Sequence, residues 1–92
     1  MTDTDLNLRM ARLLGHEPVL DDGTVLVDGA VFDPVHDNRA CDPITERYGV
    51  DLQWAEGVWC AQAVSPAGRP LEIDDALPTR AVVRVVLTAH GG

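Results

Sequence analysis

The sequence predicts an α+β domain over residues 1–92, a small antiparallel sheet packed between helices in the order helix, hairpin, helix, hairpin, helix. Three observations carry that expectation. Apolar residues recur at helical spacing in three segments. Val50, Leu52 and Trp54 alternate with Asp51 and Gln53. Asp28-Gly29 stands between two short β-branched runs, the residue pair that suits a type I′ hairpin. A chain of 92 residues has room for one core, burying roughly 60–65% of the surface its unfolded form exposes.

The first helix is expected to begin at a cap on Thr4 or Asp5 and to carry Leu6, Met10, Leu13 and Leu14 on one face. Arg9 and Arg12 point away from that face, and Gly15 ends the helix. Asp21, Asp22 and Gly23 read as a turn. Val25–Val27 and Ala30–Phe32 then form the first hairpin around Asp28-Gly29.

Asp33 and Asp37 are cap candidates for a second helix from about Asp37 to Tyr48, with Cys41, Ile44, Thr45 and Tyr48 inward and Gly49 as its stop. Pro43 either kinks this helix or starts a shorter one capped by Asp42. The second hairpin pairs Val50–Trp54 with Val58–Val64 across Ala55-Glu56-Gly57, and Leu71–Ile73 reads as a short third strand. In Asp75–His90 the valines favour a strand, but Arg80, Arg84 and Thr88 recur every four residues, so the segment reads as a helix. Asp74 or Asp75 would cap it, Pro78 suits its first turn, and its narrow polar stripe makes it the most buried of the three helices.

Fifteen acidic residues against seven basic ones give a formal net charge of −8. That argues against sequence-independent binding to DNA, RNA or an anionic membrane, all of which need a basic face. No apolar run approaches the ~20 residues of a membrane span, and no signal peptide is recognised, so a cytoplasmic location is expected. Every basic residue is Arg, a bias that a GC-rich genome would produce. Cys41 and Cys60 match no zinc spacing and are expected to be reduced and at least partly buried.

Several stretches, in order, resemble the small phage-encoded ABA sandwich domain family. Leu6–Gly15 resembles its first helix ending in Gly, and Phe32-Asp33-Pro34-Val35-His36-Asp37-Asn38 its aromatic-x-Pro-x-x-Asp-Asp/Asn lead into the second. Tyr48-Gly49-Val50-Asp51-Leu52 is similar to its aromatic-Gly-hydrophobic strand start, and Trp59 sits where a strand tryptophan is common. Leu77–Leu87 resembles its closing Ala-x-x-Arg-x-x-Leu helix, while Pro43 departs from its uninterrupted second helix. The resemblance implies a sheet sandwiched between helices and a phage or prophage accessory role in a bacterial host cell. It carries no chemistry to transfer.

No catalytic residues are expected. Ser65 lacks a nucleophile-elbow context, and His16, His36 and His90 are scattered along the chain. Asp33, His36, Asp37, Cys41 and Asp42 offer donors for a metal, but helix caps and a packed thiol explain them better. Neither a metal nor a cofactor is therefore expected. Asp21, Asp22, Asp28, Asp33, Asp37 and Asp42 are the candidate partner-binding face, an acidic surface that could imitate nucleic acid. The expected function is non-enzymatic binding of a host or phage protein, such as inhibition of a nucleic-acid-binding defence protein. The alternative is a small-ligand or nucleotide-sequestering oligomer using Arg80 and Arg84. Trp54 and Trp59 are expected in the core, and one lying outside with Val58 or Val64 would mark a homodimer or partner surface.

Overall fold

The computed structural model describes residues 2–91. It is an α+β fold of three helices and two three-stranded antiparallel sheets, where the sequence suggested one sheet packed between helices; a strand before the first hairpin extends it, and the expected strand around Leu71–Ile73 extends the second. The first helix, α1 (Asp3–Leu13), starts earlier than Thr4 or Asp5 as caps would allow. Thr2 is the cap: its hydroxyl accepts the Asp5 N–H at 3.1 Å, and the Asp5 carboxylate accepts the Thr2 N–H at 3.3 Å. Asp5 falls at the third helical position, where a carboxylate can reach back and close this reciprocal pair. The helix ends in a Schellman motif, with Gly15 at φ 86° and the His16 N–H bonded to the Ala11 carbonyl.

The first sheet contains β1 (Val19–Asp21), β2 (Thr24–Val27) and β3 (Ala30–Val31). Strands β2 and β3 are the expected hairpin; β1 is an addition. Asp22 and Gly23 have φ of 49° and 79°, and Asp28 and Gly29 of 52° and 78°. Both two-residue turns therefore have the left-handed pair that type I′ requires. Asp22-Gly23 is as strong a hairpin signal as Asp28-Gly29, and it recruits Val19–Asp21 into the sheet as an exposed edge.

Helix α2 (Asn38–Tyr48) begins at Asp37, whose carboxylate accepts the Arg39 N–H at 3.0 Å. Pro43 lies inside it, so Asp42 is an interior residue and not a fresh cap. Gly49, at φ 61°, closes the helix, and the Val50 N–H bonds the Thr45 carbonyl.

The second sheet has the order β4 (Asp51–Ala55), β5 (Val58–Val64), β6 (Pro70–Asp75). Helix α3 (Pro78–His90) lies on one face of β5 and β6 and also touches α1 and α2. Ala61 and Ala63 are buried on that face, where small side chains let the helix axis come close. Ala81, Val82, Val83, Val85 and Val86 are buried on α3, more residues than on either other helix, as its narrow polar stripe predicted. On the opposite face of the sheet Gln53, Val58, Val64, Glu72 and Asp74 are exposed.

Two expectations need correction here. Neither Asp74 nor Asp75 caps α3; Leu77 is the cap, Pro78 follows it, and Asp75 is the last residue of β6. Trp54 is 57% exposed and not core. It lies toward the far end of the edge strand β4 and packs on Trp59 with ring centroids 5.2 Å apart. No described helix is long and apolar enough to cross a membrane.

Candidate functional site

The polar stripe of α3 faces a groove, and its centre is Asp75. Arg80 and Arg84 are four residues apart, so one helix face presents both guanidinium groups toward the end of β6. Arg80 Nε lies 2.9 and 3.0 Å from the two Asp75 carboxylate oxygens. Arg84 Nη1 donates to Asp75 Oδ2 at 2.9 Å and to the Asp74 carbonyl at 3.2 Å. The Leu77 N–H, at 3.0 Å, completes the ring of donors around Asp75 Oδ1.

Burial alone would raise the Asp75 carboxyl, whose side chain is only 5% exposed. The hydrogen bonds from Arg80, Leu77 and Arg84 outweigh it and hold the group below the ordinary carboxylate range. The same hydrogen bond from Arg80 raises that guanidinium further above its usual value. Asp75 is therefore an anion that fixes two cations in place.

The network continues into α1. Arg80 Nη1 stands 3.5 Å from both oxygens of Asp3, and Asp3 Oδ2 is 3.1 Å from His36 Nε2. His36 Nδ1 meets Asp33, which also accepts the Asn7 side-chain amide at 2.7 Å. Asn7 is buried, and its carbonyl oxygen accepts the Val35 N–H. These contacts tie α1, α3, β6 and the segment before α2 into one rigid wall.

Between α1, β6 and α3 lies an open groove of about 670 Å³. Arg9, Arg80 and Arg84 line it with Asp3 and Asp75, and Leu6, Ile73 and Leu87 supply its apolar wall. Three arginines against two aspartates leave one positive charge in excess, on a chain whose net charge is −8. Among the described residues Arg84 engages only through Nη1, and Arg9 forms no ion pair, so both retain donors for an incoming anion.

The six aspartates of the expected acidic face are placed differently. Asp22 and Asp28 hold turns at opposite ends of β2, and Asp37 caps α2. Asp33 is half-buried within the His36 and Asn7 network, while the other five are exposed. The donors considered near Cys41 do not converge: its thiol contacts Thr45 and the Thr79 carbonyl, and burial pushes its pKa up. His16 packs on Phe32 and His90 on Tyr48, so the three histidines stay apart.

Arg80 and Arg84, the candidate ligand-binding residues of the sequence, line this groove together with Arg9, Asp3 and Asp75, which the sequence did not single out. The Asp75-Arg80-Arg84 spacing was available as a signal. The contribution of α1 was not, since Asp3 and Arg80 are 77 residues apart. No family model, curated protein or solved structure matches the chain.

Proposed function

We propose that the chain is a non-enzymatic binding module whose groove holds a small ligand with an anionic group and an apolar or planar body. A nucleotide is the ligand class that fits. The observation that supports this reading is the clamp of Arg80 and Arg84 by buried Asp75 beside an apolar wall. Preorganised guanidinium groups suit phosphate or carboxylate, and Leu6, Ile73 and Leu87 offer a surface for a base or acyl body. The biological setting is the one the family resemblance implies, an accessory protein of a phage or prophage acting inside a bacterial cell. Sequestration of a nucleotide there requires no reaction.

The macromolecular reading, an acidic surface occupying a nucleic-acid-binding defence protein, has less support. It needs a continuous face, whereas Asp33 and Asp37 are engaged in local hydrogen bonds and Asp22 and Asp28 lie at opposite ends of a strand.

Thermal unfolding in the presence of nucleoside mono-, di- and triphosphates, with inorganic phosphate as control, tests the proposal. A ligand present at 100 times its Kd stabilises the fold by about 2.7 kcal/mol. The expected result is a rise in Tm for at least one nucleotide that is lost in Arg84→Gln. Equal shifts in the wild type and Arg84→Gln, or no shift with any nucleotide at millimolar concentration, would refute it.

A further inference from the structure

The face of the second sheet turned away from α3 gathers three side chains that the arginine groove does not use. Cys60 on β5 stands directly opposite Asp74 on β6, and Glu72 lies two residues earlier on the same face. Sγ of Cys60 and one carboxylate oxygen from each acid all lie within 4.8 Å of one another. Register produces the grouping: alternation puts Cys60 and Gln62 on the face that carries Glu72 and Asp74. Cys60 is only 9% exposed, although no helix covers it, and its thiol is aimed between two exposed carboxylates.

Electrostatically the cluster favours a cation. Among the described residues no arginine side chain pairs with Glu72 or Asp74. Gln62 Nε2 donates to Glu72 Oε2 at 3.3 Å, which orients that carboxylate.

We propose that Cys60, Glu72 and Asp74 form a site for a borderline-soft divalent cation such as zinc or cadmium, bound through one thiolate, two carboxylate oxygens and water. The mixed sulfur and oxygen donors suit these ions and not magnesium or calcium, which take oxygen. Zinc–sulfur bonds of about 2.3 Å and zinc–oxygen bonds of about 2.0–2.2 Å set the donors of a tetrahedral ion about 3.4–3.6 Å apart. The donors lie within 4.8 Å of one another, and Glu72 and Asp74 are exposed, so binding requires their side chains to rotate inward onto the ion. Binding forms a metal–sulfur bond and releases the Sγ proton to solvent, with no change of oxidation state.

Titration with cadmium ion, followed by ultraviolet thiolate-to-metal charge-transfer absorption, tests the site. The absorption should saturate at one equivalent, persist in Cys41→Ser, and disappear in Cys60→Ser. A large excess of zinc should compete for the site and lower the absorption. In the Glu72→Gln/Asp74→Asn double variant the affinity should fall about tenfold or more. That variant changes only exposed side chains, so it answers the question even if Cys60→Ser fails to fold. Absent absorption in the wild type, absorption that survives Cys60→Ser, loss in Cys41→Ser, or unchanged affinity in the double variant would overturn the proposal.

Discussion

Asp75 receives Arg80 Nε on both carboxylate oxygens, at 2.9 and 3.0 Å, from a position where its own side chain is 5% exposed. The two residues join the end of β6 to the first turn of α3, so the ion pair is also a hinge pin between sheet and helix. Replacing Asp75 with Ala leaves Arg80 and Arg84 facing each other without their counter-ion. The arginines are 31% and 42% exposed, so water recovers part of the loss. The expected cost is about 1–3 kcal/mol in urea unfolding. A change within 0.5 kcal/mol would show that the clamp contributes little to stability.

Acidification should act through the same residue. Because Asp75 has a lowered folded-state pKa, its contribution is present above the unfolded value of about 3.9 and disappears as pH falls through the folded value. Unfolding free energy measured from pH 6 down to pH 2 should therefore decline more shallowly in Asp75→Asn than in the wild type. Parallel curves would remove Asp75 from the acid response.

Pro43 sits inside α2, lacks an N–H and crowds the carbonyl one turn back. Its replacement by Ala restores the hydrogen bond, while the unfolded chain regains about 0.4–1 kcal/mol of entropy. A net gain of about 1–2 kcal/mol is expected from chemical unfolding. A loss of stability would mean that the proline supplies packing that outweighs its backbone cost.

Gly49 closes α2 at φ 61°, with open space where a Cβ would stand. Gly49→Ala therefore tests conformation without a clash, and a loss of about 1 kcal/mol is expected. Ala at Gly91, by contrast, would place its Cβ 2.5 Å from the Leu87 carbonyl oxygen, so the two variants differ in mechanism.

The elements that local chemistry determines were legible in the sequence. Gly15 and Gly49 mark helix ends, Asp28-Gly29 marks a type I′ turn, and the four-residue recurrence of Arg80, Arg84 and Thr88 identifies α3 despite its valines. What depends on long-range packing was not. Trp54 follows the alternation of a buried strand, yet only Val50 and Leu52 reach the core, and toward the far end of edge strand β4 the alternation ends in solvent. The Cys60, Glu72 and Asp74 grouping exists only in one register of β5 against β6, which the Ser65–Arg69 turn sets. Arg9 reads as a solvated helix residue until α3 is laid beside α1.

The most direct measurement of the central claim is a nuclear magnetic resonance titration of the labelled protein with a nucleoside monophosphate, following backbone amides and arginine Nε–H signals. The groove predicts concentration-dependent shifts at Arg9, Arg80 and Arg84 and their neighbours Leu6 and Ile73, abolished by Arg84→Gln. Shifts confined to the exposed Asp21, Asp28 and Asp42, or an unchanged spectrum at millimolar nucleotide, would contradict the account.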